Sequence, residues 1–240
     1  MKIGIVYSQK TESFLDSKFP VRPDKMWYQK GAMAAFDEAK IPYEQVNEDK
    51  LVNFSALQQY TALFMENILC VTDEEVATLR EYHLAGGGIV SMFGSTARYA
   101  DGKLRPDFGL AKEFHVSCGG DPETEQWDEQ PFGYICVTQN HPVNKGFAIG
   151  DRLQYSRILV PFWAPRLTVH KGGTVIANLG SFIKDDTGLA ALVVSENGKG
   201  RCAYSGPAIS LRICEPRLTQ DTDKLKKLIA NMVRWVSKET

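Results

Sequence analysis

The chain begins with short apolar runs that alternate with amphipathic stretches of helical period. The apolar runs have the length of buried strands and occupy residues 2–7, 43–46, 62–65 and 88–93. Between them, apolar residues recur at helical spacing over residues 25–39 and 72–84. Because strand and helix patterns alternate, we expect a doubly wound, mostly parallel α/β sheet.

The helix over residues 72–84 has clear end signals. Thr72 is a favourable N-cap, and Glu75 stands where a capping box needs a carboxylate. The glycines at 86–88 permit left-handed backbone and end the helix. The strand that follows ends at Gly94 and Ser95, where open α/β sheets place their ligands. We therefore expect functional residues at this turn.

Other parts of the chain follow different patterns. Residues 8–24 show no clear periodicity and read as a long loop at the carboxyl edge of the sheet. Residues 118–184 are predicted to form a β-rich insertion or sheet extension within a single domain over residues 1–240. Its β-like runs are residues 132–138, 157–161, 167–169 and 174–179. An Asn-Gly turn predicts a hairpin between 190–195 and 201–205, and an apolar face predicts a helix over 221–236.

Composition narrows the classes of function. Lys and Arg number 28 against 29 Asp and Glu, so there is no basic field to attract nucleic acid. Five cysteines without a CxxC pair argue against disulfides and a zinc site, and favour the reducing cytoplasm. The apolar run at 2–7 is too short for a signal peptide or membrane span. Because neither a phosphate-binding glycine motif nor metal-ligand spacing occurs, we expect no cofactor and no metal.

Several segments, in this order along the chain, resemble one known family. They are the strand at 2–7, AKIPYE (39–44), YTALFMEN (60–67), VTDEE (71–75) with the helix and strand that follow, ARYADGKLRPDFGLA (97–111) and GKGR (198–201) with the last helix. They resemble the β-galactosidase trimerisation domain of the class I glutamine amidotransferase-like superfamily. The resemblance covers residues 1–116 and 190–238, and it implies a flavodoxin-like fold.

The resemblance also implies a role without catalysis. In the hydrolases that carry this domain a separate barrel supplies the catalytic carboxylates, and 240 residues leave no room for such a barrel. The resemblance implies a homo-oligomer, with a trimer as one form, and a glycoside hydrolase as a partner. We therefore expect a non-catalytic domain of carbohydrate metabolism that self-associates, binds a sugar-like ligand, or does both.

An enzyme is the alternative. A glutaminase needs a cysteine at the turn between strand and helix, but Gly94-Ser95-Thr96 stands there, so we expect no glutaminase activity. Ser95 is a candidate nucleophile, with His141 or His170 as its base, although a serine at the end of a buried strand more often bonds to backbone. With Glu66 as a second candidate, a small hydrolase acting on a sugar derivative or an amide remains open.

A ligand site is predicted at the same edge of the sheet. Its candidate residues come from strand ends and nearby loops, and they are Arg22, Trp27, Tyr28, Glu66, Asn67, Ser95 and Arg98. Aromatic rings and arginine suit carbohydrate rings or an anion. The same residue types also dominate protein–protein interfaces, and Phe162 and Trp163 in the insertion allow both interpretations.

Overall fold

The structure is a computed structural model that describes residues 1–19, 26–118, 121, 132–157, 164–182, 185–214 and 219–239. Its strands are β1 (Ile3–Tyr7), β2 (Tyr43–Asn47), β3 (Ala62–Glu66), β4 (Cys70–Val71), β5 (Gly88–Met92), β6 (Arg98–Tyr99), β7 (Val116–Cys118), β8 (Phe132–Val137), β9 (Arg152–Gln154), β10 (Leu167–Val169), β11 (Gly173–Ser181), β12 (Ala190–Asn197) and β13 (Gly200–Ser205). Its helices are α1 (Gln9–Lys18), α2 (Trp27–Ala39), α3 (Phe54–Leu57), α4 (Asp73–Ala85), α5 (Ala111–Phe114), α6 (Ile209–Cys214) and α7 (Thr222–Val236). Short 3-10 helices cover Glu48–Val52 and Pro142–Asn144.

Within the described residues, nine strands form one sheet in the order β2-β1-β3-β5-β13-β12-β11-β8-β9. The first five strands of this order run parallel to one another. Each later strand is antiparallel to its neighbour. The fold is therefore mixed α/β, with a parallel half as predicted and an antiparallel half attached to it.

Alternate side chains of the parallel strands enter two separate hydrophobic cores. Ile5 and Phe64 pack into a core that also contains residues of α2, α6 and α7. Val6 and Met65 point to the opposite face, where residues of α4 and α5 complete the second core. Strands covered on both faces need apolar residues at successive positions, which explains the continuous apolar runs of the sequence.

The predicted ends of α4 are confirmed, with one refinement. Thr72 Oγ1 accepts a hydrogen bond from the Glu75 N–H at 3.0 Å, and a Glu75 carboxylate oxygen accepts from the Thr72 N–H at 2.7 Å. Of the three glycines, Gly86 alone takes a positive φ, at 124°. Gly87 and Gly88 instead make room, since an added Cβ would collide with the Tyr82 ring or the Val236 backbone.

The loop predicted for residues 8–24 was wrong in its first part. Helix α1 begins directly after Ser8, whose side chain accepts a hydrogen bond from the Thr11 N–H at 3.2 Å. The buried face of α1 includes Thr11 and Glu12 beside Leu15, so the helix lacks an apolar stripe that periodicity could detect. Residues 20–25 lie outside the described residues.

Strands from the segment 118–184 continue the main sheet. β8, β9 and β11 extend it beyond the hairpin of β12 and β13, and β10 pairs separately with β7. The predicted runs at 132–138, 167–169 and 174–179 coincide with β8, β10 and β11. Most of the run at 157–161 falls outside the described residues.

The hairpin and the last helix also occur where the sequence places them. β12 and β13 pair in antiparallel register up to Asn197 and Gly200. Helix α7 buries Leu225, Leu228 and Ile229 against the sheet. In the part of the chain that the structure describes, no helix combines the length and apolar character needed to cross a bilayer.

Replacement of the α4 cap tests the local origin of this helix. We expect Thr72→Ala to lower the free energy of unfolding by about 1 kcal/mol, because one helix N–H loses its acceptor. Thr72→Ser keeps the hydroxyl and serves as the matched control. The measurement is urea unfolding followed by circular dichroism, and equal losses in both variants would contradict a capping role.

Candidate functional site

Ser95 is buried, and its hydroxyl forms hydrogen bonds with three backbone groups. Its Oγ lies 2.8 Å from the Met65 carbonyl oxygen and 2.9 Å from that of Met92, and it accepts a hydrogen bond from the Ile68 N–H at 3.1 Å. These contacts connect the end of β3 to the end of β5. The hydroxyl therefore acts as a structural bridge rather than as a nucleophile open to a substrate.

The turn that carries Ser95 has an unusual backbone. Phe93 and Thr96 adopt positive φ values of 55° and 67°, which are uncommon for residues other than glycine. The Phe93 N–H donates to the Ser205 carbonyl at 2.8 Å, and the Thr96 N–H donates to the Ile68 carbonyl at 2.8 Å. Backbone hydrogen bonds from neighbouring segments thus hold this turn in place.

His141 lies at the opposite edge of the sheet from Ser95. Its Nδ1 accepts from the Val143 N–H at 3.2 Å, and its ring contacts that of Trp235 with centroids 4.9 Å apart. The Trp235 ring also lies under Arg201, near the start of β13, whereas Ser95 lies beyond the end of β5. The strand residues between these edges span about 13 Å. The structure therefore does not bring His141 and Ser95 together.

His170 is bound elsewhere as well. Its Nε2 lies 2.6 Å from Ser117 Oγ, which donates to or accepts from the imidazole according to its tautomer. The Ser117 hydroxyl also lies 2.6 Å from an Asp107 carboxylate oxygen. The candidate bases thus have partners other than Ser95.

Glu66 is fully buried at the end of β3 and holds the start of α6. Its two carboxylate oxygens accept hydrogen bonds from the Leu211 N–H at 2.9 Å and the Ser210 N–H at 3.1 Å. Burial raises the pKa of Glu66 to about 8, although both hydrogen bonds and the charge of Arg212 favour the ionised form. A carboxyl group in this position connects the sheet to the helix layer.

Polar groups converge around Arg212, which sequence reasoning did not select. Burial lowers the pKa of this guanidinium. Electrostatic interactions with the Tyr155 and Tyr28 hydroxyls and with the Glu66 carboxyl raise the pKa by a smaller amount. We call Tyr28, Glu66, Tyr155 and Arg212 the Arg212 cluster. It lies at the carboxyl edge of the sheet, because β3 and β9 end there and α6 follows β13 directly.

Several buried atoms next to this cluster have no hydrogen-bond partner. They are the Asn67 side-chain oxygen and nitrogen, Gln29 Oε1, the Tyr155 hydroxyl and Ser156 Oγ. Each of these residues either belongs to the Arg212 cluster or directly follows one of its members in the chain. An unpaired buried polar group costs about 1–3 kcal/mol. Other buried atoms without a partner lie elsewhere in the described residues, among them Ser91 Oγ, Glu113 Oε2 and Asn144 Oδ1.

The remaining predicted residues are distributed as follows. Trp27 lies beside Tyr28 with ring centroids 6.5 Å apart. Tyr28 and Glu66 both act electrostatically on Arg212, so these two predicted residues lie near the same side chain. Arg98 is buried in an ion pair with Asp121 and lies over the Phe14 ring at 4.6 Å. Arg22, Phe162 and Trp163 lie outside the described residues. Across the described ranges, no group of three or more His, Cys, Asp or Glu side chains could hold a metal ion.

Sequence reasoning missed Gln29, Tyr155, Ser156 and Arg212. One signal was available. Arg212 is the only charged residue in the run Ile209–Cys214, in which Ser210 is the one other polar residue. A charged residue in such a helix is rarely buried without a partner. Tyr155 and Ser156 follow β9, a three-residue strand too short to be recognised from its pattern.

Comparison with known proteins shows the fold alone. No protein-family model matches the chain, and no curated protein matches it. Among solved structures, the β-galactosidase from Rahnella sp. R3 has a TM-score of 0.72 at 14% identity, covering 99% of this chain and 31% of that one. The β-galactosidase from Bacillus circulans sp. alkalophilus has a TM-score of 0.70 at 14% identity, covering 96% and 30%.

The chain also resembles a protein of its own size. A cytoplasmic protein from Salmonella typhimurium LT2 has a TM-score of 0.57 at 12% identity, with 98% of this chain and 99% of that chain covered. By contrast, this chain spans only about 30% of the length of the β-galactosidases that it matches. The same α/β fold therefore forms part of large hydrolases and most of a smaller protein.

Removal of the Ser95 hydroxyl tests its structural assignment. We expect Ser95→Ala to lower the free energy of unfolding by about 1–3 kcal/mol, because the buried Ile68 N–H loses its acceptor. Ser13→Ala, at an exposed position of α1, is the control and should change it by less than about 0.5 kcal/mol. Urea unfolding measures the change in unfolding free energy of each variant. Equal changes in Ser95→Ala and Ser13→Ala would show that the Ser95 hydroxyl does not connect the strands.

The raised pKa of Glu66 predicts a pH-dependent stability. Below about pH 4.5 both folded and unfolded chains hold the proton, whereas between 4.5 and about 8 only the folded chain holds it. The contribution of Glu66 to stability is therefore lost as pH rises through this window, by up to about 1.4 kcal/mol per pH unit, and is constant above it.

A variant that cannot titrate isolates this effect. We expect the unfolding free energy of the wild type to fall relative to that of Glu66→Gln between pH 5 and pH 8. Urea unfolding at each pH measures the difference, and Glu81→Gln at an exposed position of α4 is the control. Parallel pH profiles for the wild type and Glu66→Gln would refute the assignment.

Proposed function

We propose that the chain is a non-catalytic accessory domain linked to carbohydrate hydrolases. The observation that carries this proposal is the likeness of nearly the whole chain to about 30% of each β-galactosidase chain. The site geometry supports it, because the Ser95 hydroxyl and the Glu66 carboxyl are occupied by backbone groups and His141 lies at the other edge. This geometry disfavours the alternative of a small hydrolase.

We further propose that the domain is of the β-galactosidase trimerisation type, within the class I glutamine amidotransferase-like superfamily. The order β2-β1-β3-β5-β13 of its parallel strands supports a flavodoxin-like fold, since that order corresponds to 2-1-3-4-5. Helices on both faces of the sheet support the doubly wound form. The absence of cysteine at 94–96 supports a role without glutaminase chemistry.

Self-association and a glycoside hydrolase partner complete this assignment. Both are proposed from the likeness to part of the β-galactosidase chains, with a trimer as the expected form. A cytoplasmic location is supported by the free cysteines at 70, 118, 136, 202 and 214 and by the likeness to a cytoplasmic protein from Salmonella typhimurium LT2. A sugar-like ligand is supported by the unpaired polar atoms at the carboxyl edge.

The mass in solution tests the assembly part of this proposal. We expect light scattering across a dilution series to give about three times the chain mass of 26.8 kDa, constant over a wide concentration range. Ser95→Ala should give the same mass, because its hydroxyl lies inside the protomer. The mass of a single chain at every concentration would exclude self-association.

A further inference from the structure

A cavity of about 420 Å³ lies beside α1 at the carboxyl edge of the sheet. Its lining comes from three parts of the chain that each lie beyond the end of a parallel strand. They are α1 after β1, Glu48 after β2, and residues 100–102 after β5 and β6. Open α/β sheets bind ligands at this edge, and small-molecule sites have volumes of roughly 300–1,000 Å³. The place and the size of the cavity therefore fit a small ligand.

Helix α1 forms one wall of the cavity and is fixed on both sides of β1. On the β3 side, Thr11 Oγ1 accepts a hydrogen bond from the Cys70 N–H at 3.0 Å. On the β2 side, the Ser8 hydroxyl donates to a Glu48 carboxylate oxygen at 2.8 Å. Because β1 lies between β2 and β3 in the sheet, these bonds hold α1 over its carboxyl end. The wall is thus preorganised before any ligand binds.

A tight turn forms the opposite wall and fits closely against α1. Gly102 has a φ of 83°, and a side chain at this position would collide with the Phe14 ring. The Gly102 N–H donates to the Tyr99 carbonyl oxygen at 2.9 Å, and Arg98 donates to the Gly102 carbonyl oxygen at 3.0 Å. The turn therefore needs glycine where it meets α1, and its own hydrogen bonds hold it there.

The lining combines hydrogen-bonding groups with apolar surface. Gln9, Ser13 and Ser17 are exposed on α1, and Phe14 adds a partly buried ring. The Gln9 amide nitrogen donates to the Ser13 hydroxyl at 3.3 Å, which aligns these two groups along the wall. Amides and hydroxyls both donate and accept hydrogen bonds, and an aromatic ring offers apolar contact. Sugars present hydroxyl groups together with apolar C–H groups, so this lining matches a carbohydrate.

The charged groups of the lining already have partners of opposite charge. Lys10 Nζ lies 3.0 Å from a Glu48 carboxylate oxygen and 2.8 Å from one of Glu75. Asp101 forms an ion pair with Lys103 at 2.9 Å. An anionic ligand would have to compete with two carboxylates for Lys10. The cavity therefore favours a neutral ligand over a negatively charged one.

We propose that this cavity binds a neutral hexose, with its hydroxyls bonded to Gln9, Ser13 and Asp101 and its C–H groups against Phe14. This inference rests on the proposed function, since it gives the class and the place of the sugar-like ligand of the accessory domain. Most of the lining is exposed in the free protein, so a single sugar ring gains few buried contacts. Its dissociation constant is therefore about millimolar.

The first experiment compares two sugars that differ at one carbon. D-galacturonate carries a carboxylate at C6 where D-galactose carries a hydroxymethyl group. We expect ligand-observed NMR titrations of the full chain at pH 7 to show D-galactose binding and D-galacturonate binding at least about threefold more weakly. The reason is repulsion between the sugar carboxylate and those of Glu48 and Asp101. This comparison needs no variant.

A bulky substitution then locates the site. Ser13→Trp fills the cavity from an exposed position of α1 and should abolish D-galactose binding. Glu81→Trp adds the same ring at an exposed position of α4, outside the cavity, and should leave binding unchanged. Circular dichroism of both variants checks that they fold.

A smaller substitution tests one contact without filling the cavity. Gln9→Ala should weaken D-galactose binding by about threefold to tenfold, which corresponds to one hydrogen bond. Gln59→Ala, at an exposed position before the start of β3 and thus at the opposite edge of the sheet, is the matched control and should leave the affinity unchanged.

Each contrary result has a separate meaning. Failure of D-galactose to bind at millimolar concentration would overturn the site, while a trimer mass for the same sample would leave the accessory role intact. Unchanged binding in Ser13→Trp would overturn the location. Equal affinity for D-galacturonate would overturn the preference for a neutral ligand. A single-chain mass with the expected D-galactose binding would instead overturn the assembly and retain the site.

Discussion

A buried carboxyl group at the end of β3 connects the sheet of this protein to one of its helix layers. Glu66 accepts hydrogen bonds from two amides in the first turn of α6, and Ser210 at that point bonds in turn to the first turns of α2. The two helices approach so closely there that a side chain at Gly31 would collide with the Ser210 backbone. The position of Arg212, two residues further along α6, therefore depends on Glu66.

In open α/β folds the carboxyl edge of the sheet is where ligands bind, and in this protein the two faces of that edge differ in their polar groups. On the α4 face, Ser95 uses its hydroxyl to connect two strands, and the left-handed residues Phe93 and Thr96 bend the chain around it. On the opposite face, polar atoms accumulate without partners around Arg212. The Ser95 hydroxyl and the Glu66 carboxyl are both occupied by backbone groups, in keeping with the non-catalytic role proposed above.

Local patterns allowed the parallel half of the fold to be predicted, and long-range contacts limited the rest. The strands β1, β3 and β5 are mostly apolar, and the ends of α4 are specified by neighbouring residues. Glu66 and Asn67 were selected because they stand at the carboxyl end of a predicted strand, and Tyr28 because it was expected near the same edge of the sheet. Arg212 and Tyr155 were missed because their partners lie far away in sequence, and short elements such as α6 and β9 give little periodic signal.

The strand order also determines how the protein reaches its native state. β5 occupies residues 88–92, but its neighbour β13 occupies residues 200–205, so the middle of the sheet joins distant parts of the chain. A nascent polypeptide therefore exposes one edge of β5 until the β12–β13 hairpin has been synthesised. Such non-local pairing slows folding and leaves an unpaired edge open to aggregation in the meantime, which makes early capture by a chaperone advantageous for this topology.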